Sequence, residues 1–139
     1  TEKNKMDGIK LTFLKIINNS KGDIFHVIKS SSDSFSKFGE AYFSEIKFNE
    51  IKGWKLHKEM VLNLVVPVGE VQFVFYNGKS FFSTTLSKDN YLRLTIEPKI
   101  WFAFRGLSNS LNLVLNIANI PHDPTESVNK KLSEIKYDW

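Results

Sequence analysis

The 139-residue sequence contains no cysteine, and this absence excludes both a disulfide framework and a cysteine nucleophile. A cysteine-free chain fits a reducing compartment, so a soluble cytoplasmic protein is the expected class. No apolar run approaches the roughly 18–20 residues that span a bilayer, and no signal-peptide pattern opens the chain. The sequence therefore gives no indication of a membrane partner.

Arginine is scarce as well, since Arg93 and Arg105 are the only arginines among 19 basic residues. The formal net charge is +4, and no long basic run accompanies it, so nucleic acid is not an expected partner. Several of the lysines cluster in the middle of the chain, at Lys47, Lys52, Lys55 and Lys58. This cluster is interpreted either as a solvated face or as a binding site for an anionic ligand such as a nucleotide diphosphate.

Histidine and glycine motifs are missing too. His26, His57 and His122 are the only three histidines and form no His-x-His pair, so neither a metal site nor another cofactor is predicted. The seven glycines are isolated, which excludes a glycine-rich phosphate loop, and no serine occupies a G-x-S-x-G elbow. A metal-dependent oxygenase is kept as a separate hypothesis, and elemental analysis for bound iron, zinc or manganese would test it.

The residues that are present indicate an all-β fold. Aromatic residues make up 14% of the chain, and short apolar or alternating segments follow one another between turn signals. Strands are predicted at residues 24–29, 41–48, 51–57, 61–66, 71–76, 80–86, 91–96 and 111–117. The continuous apolar run 61–66 predicts a strand that is buried on both faces. About eight short strands favour a single-domain sandwich or barrel over residues 1–139, with a jelly roll as the preferred form.

Local signals add detail to this prediction. Asn77-Gly78 predicts a hairpin with a type I′ turn, and the serine-rich residues 30–36 predict a loop. Residues 1–8 are expected to be frayed. Asp123-Pro124-Thr125-Glu126 has the pattern of a helix start, so a short C-terminal helix is predicted to continue through SVNKKLSEI.

The segment GWKLHKEMVLNLVVPVGE, residues 53–70, contains the most favourably placed candidate for acid–base chemistry. Strand alternation puts Lys55 and His57 on one face, with Trp54 and Leu56 on the other. Histidine suits proton transfer because its unperturbed pKa lies near neutrality. His57 is therefore a candidate catalyst, the alternative being a histidine that is hydrogen-bonded at the end of a sheet.

Two further polar residues have similarly open interpretations. Arg105 follows the aromatic run IWFAF at a strand end, where it either contacts a phosphate or lies on the surface. In residues 111–117 the leucines alternate with Asn112, Val114 and Asn116, so the polar face lines a cavity or meets solvent.

Several segments, taken in order, resemble the dTDP-4-dehydrorhamnose 3,5-epimerase family of metal-independent cupins. The resemblance covers residues 18–139. Residues 21–25 (KGDIF) resemble its R-G-x-F segment, residues 53–58 (GWKLHK) its R-G-L-H-F-Q motif, and residues 68–71 (VGEV) its R-G-E-V turn. Residues 98–107 resemble its P-x-x-x-A-H-G-F-x-x-L segment, and residues 124–126 its P-E-x-E stretch.

This resemblance implies a cupin-type jelly roll, a homodimer, and an isomerase or epimerase of a nucleotide-linked 4-keto-6-deoxyhexose in surface polysaccharide biosynthesis. His57 matches the histidine that serves as general base. The partner is then a nucleotide-diphosphate sugar, with no cofactor. The residues expected to contact it are Lys21, Lys55, Asn63, Arg105 and Asn116.

The chain also departs from the family pattern. The family lysine that stabilises the enolate has no counterpart in residues 60–63, and residues 119–122 lack the family tyrosine. The aspartate that orients the histidine has no counterpart either, and His26 stands near a family glutamate. Two hypotheses follow: a compact enzyme that isomerises or epimerises one centre with other groups, such as Asn63, Asn116 or His122, or a sugar-nucleotide-binding protein without catalysis.

Overall fold

The computed structural model describes the backbone of residues 2–139 and the side chains from Met6 onward, and these residues form thirteen β-strands. In chain order the first seven are β1 (Glu2–Met6), β2 (Ile9–Phe13), β3 (Ile16–Ile17), β4 (Ile24–Phe25), β5 (Glu40–Glu45), β6 (Ile51–His57) and β7 (Leu62–Val68). They are followed by β8 (Glu70–Tyr76), β9 (Phe81–Ser87), β10 (Leu92–Ile96), β11 (Trp101–Gly106), β12 (Leu113–Ala118) and β13 (Ser127–Asn129).

Two sheets make up the body of the fold. The larger has the order β1-β2-β10-β7-β12-β5, the smaller has the order β13-β6-β11-β8-β9, and β3 pairs only with β4. Neighbouring strands in both sheets run antiparallel. The predicted all-β jelly-roll class is confirmed.

One main hydrophobic core fills the space between the sheets, because the inward faces of both are apolar. Leu62, Leu64 and Val66 of β7 point into this core, whereas Val65, on the opposite face, is also fully buried. The prediction that this run is buried on both faces is therefore confirmed. The outer face of the larger sheet is covered by the loop after β4, since Arg93 donates hydrogen bonds to the Val27 carbonyl and to Ser34 Oγ.

The predicted C-terminal helix is wrong. Asp123 Oδ1 does accept a hydrogen bond from the backbone nitrogen of Thr125 at 2.9 Å, but only one 3-10 turn, Pro124–Glu126, follows. Residues 127–129 then become β13, which pairs with β6, and a second 3-10 turn covers Leu132–Glu134. The capping contact of Asp123 is present, but pairing of residues 127–129 with the open edge of β6 competes with helix extension and wins.

Other local predictions need smaller corrections. The hairpin at Asn77-Gly78 is present, but its loop spans residues 77–80, and Asn77 Oδ1 accepts hydrogen bonds from the backbone nitrogens of Lys79 and Ser80. The turn is thus held by a side chain and is not type I′. The strand predicted at residues 24–29 is only Ile24–Phe25. Glu2–Met6, expected to be frayed, pairs with β2, and Thr1 lies outside the described residues.

Candidate functional site

A cavity of about 220 Å³ lies between the two sheets at one end of the core. Residues from both sheets line it, so the closure of the jelly roll creates the site and no single segment does. The polar and aromatic lining residues that matter below are Tyr42, Lys52, Lys55, His57, Phe102 and Asn116.

A β-bulge in β6 directs three of these side chains into the cavity. Lys52 pairs with Phe104 and Lys55 pairs with Phe102. The two residues between these pairs in β6, Gly53 and Trp54, therefore face the single residue Ala103 of β11. The glycine at position 53 is required here, because a Cβ would lie 2.3 Å from the Cβ of Ala103. As a result Lys52, Lys55 and His57 all line the cavity, while the Trp54 ring packs in the smaller cluster with Ile135.

His57 is held by a carboxylate at the edge of the cavity. Its Nδ1 lies 2.6 Å from Oε1 of Glu126, and the exposed fractions of the two side chains are 12% and 5%. The ring of Phe102 stacks on the imidazole with 6.0 Å between ring centroids. Since the ionised Glu126 can only accept a hydrogen bond, Nδ1 donates its hydrogen to Oε1, and the lone pair of the imidazole is on Nε2.

Glu126 is well suited to remain ionised in this buried position. Burial by itself raises the pKa of the carboxyl group, but the hydrogen bonds from His57 and from the backbone nitrogens of Glu59 and Met60 outweigh it, so the net pKa is lowered. The two backbone nitrogens lie 3.0 and 2.8 Å from Oε2. An ionised Glu126 orients His57 and stabilises the imidazolium that forms when His57 takes a proton.

Tyr42 and Asn116 form a polar pair across from the sheet that carries His57. They are opposite each other on β5 and β12, and Nδ2 of Asn116 donates a hydrogen bond to the Tyr42 hydroxyl at 2.8 Å. Burial and the charge of Glu40 raise the pKa of Tyr42, and the Asn116 hydrogen bond only partly opposes them. Tyr42 is therefore a protonated hydroxyl at neutral pH, able to donate into the cavity.

Three of the six residues predicted from the sequence line the same cavity: Lys55, His57 and Asn116. The sequence placed Asn116 on a polar face with two possible surroundings, and the structure turns that face inward. The leucine face, with Leu113 and Leu115, is the half-buried outer one.

The other three predicted residues lie elsewhere. Asn63 points to the outer face of the larger sheet, where it donates to the Ser34 carbonyl and accepts from Thr95. Arg105 donates to the carbonyl oxygen of Trp139, and Lys21 is exposed in the turn between β3 and β4. These positions give Asn63, Arg105 and Lys21 no contact with the cavity around His57.

Sequence analysis missed Tyr42 and Phe102 as cavity residues and Glu126 as the partner of His57, and it named Lys52 only as a member of the central lysine cluster. Tyr42 had a signal, because it lies on the predicted strand 41–48, but nothing indicated which face turns inward. Glu126 was assigned to a helix start, and only the pairing of Ser127 with His57 brings its carboxylate to the imidazole. The sequence has no counterpart of the family aspartate, and the carboxylate that contacts His57 in this chain is that of Glu126.

His26 and His122 do not join the site. The backbone nitrogen of His26 donates to the Lys15 carbonyl beside β3, and that of His122 donates to the Glu40 side chain. Within the described residues, no group of three or more histidine or acidic side chains could hold a metal ion. No helix in this part of the chain is long and apolar enough to cross a membrane.

Comparison with known proteins finds a close relationship among solved structures. No family model and no curated protein matches the sequence. Among solved structures, a dTDP sugar isomerase from Desulfovibrio desulfuricans G20 shares 34% sequence identity, with a TM-score of 0.87, and the match covers 90% of this chain and 85% of that one.

More distant structures share the fold. The dTDP-4-dehydrorhamnose 3,5-epimerase of Sulfolobus tokodaii has a TM-score of 0.85 at 18% identity, covering 99% of this chain and 85% of that one. A variant of the 3,4-ketoisomerase of Thermoanaerobacterium thermosaccharolyticum, in complex with TDP-4-keto-6-deoxyglucose, has a TM-score of 0.78 at 18% identity, with 88% of each chain covered.

Proposed function

We propose, from the premise that this chain belongs to the dTDP-4-dehydrorhamnose 3,5-epimerase-like family, that it is an isomerase or epimerase of a nucleotide-linked 4-keto-6-deoxyhexose. The observation that carries the proposal is the His57–Glu126 pair, which faces a cavity shared with the Tyr42 hydroxyl and two lysines. This arrangement offers a base, an acid and an anion-binding end in one cavity.

The ketone of such a sugar acidifies the hydrogen on the neighbouring ring carbon. Nε2 of His57 removes that proton, the C–H electron pair forms a carbon–carbon double bond, and the carbonyl oxygen takes up the negative charge. Tyr42 donates a hydrogen bond or its proton to that oxygen, while Glu126 stabilises the new imidazolium. The intermediate is an enediol or enolate.

The fate of the proton decides the product. When the imidazolium returns it to the former carbonyl carbon, the ketone migrates and the product is an isomer. The hydroxyl group on the carbon that lost the proton then becomes the new carbonyl group, and its proton passes to the former carbonyl oxygen. When another group protonates the original carbon from the opposite face, the product is an epimer. The 34% identical structure is a dTDP sugar isomerase, a term that covers both products, and NMR of the product distinguishes them.

The lysine end of the cavity is suited to the diphosphate of the substrate. Nζ of Lys52 is held by Ser44 Oγ at 3.1 Å and by the Glu45 carbonyl at 2.5 Å, so its charge is fixed at the cavity mouth. Lys55 follows Lys52 in β6, on the other side of the bulge, and it also lines the cavity. Two ammonium groups on one wall attract a dianionic group without a metal ion.

Replacing Lys52 and Lys55 together with Met is expected to raise KM for the nucleotide sugar about 10- to 100-fold and to change kcat much less. The methionine chains keep most of the packing volume, so the change removes mainly the charges. Initial rates at several salt concentrations measure the effect, and the double variant should be less salt-sensitive than the wild type. Lys58→Met is the matched control, because Lys58 Nζ bonds the Thr125 carbonyl outside the cavity. An unchanged KM contradicts this assignment.

The activity itself is tested by incubating the protein with dTDP-4-keto-6-deoxyglucose in deuterated water. NMR is expected to show deuterium on a carbon next to the ketone, together with the isomeric or epimeric product, at a rate far above that of buffer alone. If the nucleotide sugar raises the melting temperature but neither deuterium enters nor an isomeric or epimeric product forms, the chain is instead a sugar-nucleotide-binding protein without catalysis. That result would overturn the enzymatic proposal.

The setting of this reaction is proposed as well. The enzyme would work in the cytoplasm, where its cysteine-free chain suits a reducing medium, and would supply deoxysugars for surface polysaccharide biosynthesis.

A homodimer is proposed from the family resemblance, and the exposed Phe43 beside Leu115 on the outer face of β5 and β12 offers apolar surface for it. Light scattering in solution, on the wild type and on Phe43→Lys, measures this assembly.

A further inference from the structure

Asn116 is a polar residue in an otherwise apolar part of the cavity wall. It lies between Tyr42 and Leu64 in the larger sheet, and Val114 and Ala118 flank it on the same inward face of β12. Its exposed fraction is only 7%. A buried amide is costly unless its polar atoms are hydrogen-bonded, so an amide in this place calls for an explanation.

Only one of the two polar groups of the Asn116 amide has a hydrogen-bond partner among the described residues. Nδ2 donates to the Tyr42 hydroxyl at 2.8 Å, whereas Oδ1 is buried without a hydrogen-bond partner among the described residues. An unpaired buried carbonyl is destabilising, because it loses its hydrogen bonds to water and gains none in the protein. An apolar side chain of the same shape would avoid this cost, so stability alone does not account for the asparagine.

The direction of this hydrogen bond determines what Tyr42 can do. A hydroxyl group has one donor hydrogen and two acceptor lone pairs, and an amide NH₂ group can only donate. Because Asn116 donates to the Tyr42 oxygen, the O–H bond of Tyr42 points away from Asn116. The phenolic hydrogen is then available to an acceptor in the cavity.

We propose that Asn116 is a positioning residue, which fixes the Tyr42 hydroxyl as a hydrogen-bond donor to the carbonyl oxygen of the substrate. The inference rests on the proposed function, since it assigns the group that Tyr42 serves. The same contact stabilises the Tyr42 oxygen when its proton is transferred, because Nδ2 of Asn116 donates a hydrogen bond to that oxygen throughout. Asn116 thereby acts through Tyr42 and does not itself contact the reacting atoms.

Electrostatics support this role. Burial and the Glu40 carboxylate raise the pKa of Tyr42, and the Asn116 hydrogen bond opposes them. Without the amide, Tyr42 would hold its proton more tightly and in a less defined direction. The other charged or titratable groups that line the cavity are Lys52, Lys55 and His57, with Glu126 behind His57.

Two substitutions separate positioning from a purely structural role. Asn116→Leu removes the donor, and is expected to lower kcat about 10- to 100-fold with KM within a few-fold of wild type. Its melting temperature should equal or exceed that of the wild type, because Oδ1 is removed and the half-exposed Tyr42 can bond water. Asn116→Asp keeps the shape but accepts the Tyr42 hydrogen, so it should lower kcat at least as much. Asn109→Asp, on an exposed loop, controls for the added charge.

A double-mutant cycle decides whether Asn116 works through Tyr42. In a Tyr42→Phe background, Asn116→Leu should cause no further loss of kcat. Additive losses, or an Asn116→Leu variant with wild-type kcat, would overturn the inference while leaving the proposed function intact. An inactive wild type overturns both.

Titration of Tyr42 gives a readout that needs no substrate. In protein labelled with ¹³C at the tyrosine ζ carbon, with Tyr42→Phe used for assignment, Asn116→Leu should move the Tyr42 pKa upward. The shift follows from the loss of the hydrogen bond that stabilises the phenolate. An unchanged or lower pKa would mean that the amide does not hold Tyr42 in solution, and the inference would fall.

Discussion

Replacing His57 with Asn is expected to lower kcat about 10³-fold while nucleotide-sugar binding stays close to wild type. The asparagine amide reaches about as far as Nδ1 of histidine, so it can still donate to Glu126 Oε1. What it lacks is a group equivalent to Nε2, which we assign as the base. Deuterium exchange next to the ketone measures the loss directly, because that exchange requires proton removal but not product release.

Binding and folding controls make this result specific. The melting temperature of His57→Asn and its shift on addition of nucleotide sugar should resemble those of the wild type, since the lysine end of the cavity is untouched. His122→Asn is the matched variant, because His122 is exposed and uses only its backbone nitrogen in its contact with Glu40. A His57→Asn protein that retains wild-type exchange would show that another group is the base.

The second large effect is expected for Glu126→Gln, which should lose both activity and stability. The neutral amide cannot stabilise the imidazolium, and it can donate to Nδ1, which places the imidazole proton on Nε2 and blocks the base. We expect kcat to fall about 10²-fold or more. Glu126 also accepts from two backbone nitrogens through Oε2, and the amide oxygen keeps these bonds but without the charge, so the free energy of unfolding should fall by about 1–2 kcal/mol in urea titrations.

Glu59→Gln is the matched control for this change. Glu59 follows His57 by two residues and its side chain is exposed, although its backbone nitrogen bonds Glu126. The same charge is removed while the buried carboxylate remains, so activity and unfolding free energy should stay near wild type. Equal losses in Glu59→Gln and Glu126→Gln would point to overall charge and would contradict the role of Glu126.

Glu126 also gives the wild type a defined dependence of stability on pH. Its folded-state pKa is lowered, so its contribution is fully present above the unfolded pKa of about 4.3 and is lost as pH falls through the folded value. The unfolding free energy of the wild type should therefore decrease on acidification below about pH 4.3. The difference between wild type and Glu126→Gln should shrink over the same interval.

The sequence predicted strand positions well where the local pattern is strong. The bounds predicted for residues 51–57 match β6, and the apolar run 61–66 lies within or beside β7. The sequence predicts no strand bounds for β11, with the sequence WFAFRG, because its apolar residues are consecutive and lack the alternation that marks a half-buried strand. The prediction at residues 111–117 found the strand but left open which face was inside, since both faces contain apolar residues.

The candidate site was only partly predictable for a related reason. His57 and Lys55 share a face within one strand, so alternation alone brings them together. Lys52 joins them only because the bulge at Gly53 shifts the alternation, and a bulge depends on the partner strand. Asn63 has the right chemistry, but it lies on the outer face of β7, where Ser34 and Thr95 satisfy it.

The amino-acid sequence by itself determined the all-β class, most strand positions and the place of His57, because these depend on periodicity and turn chemistry within a few residues. The tertiary structure alone decided that Glu126, 69 residues away, holds His57, and that Asn116, 74 residues from Tyr42, directs its hydroxyl. Such pairs depend on strand order and register, which are set by the burial of two whole sheets against each other. For that reason the acid that contacts His57 in place of the family aspartate could be found only after the chain had been folded.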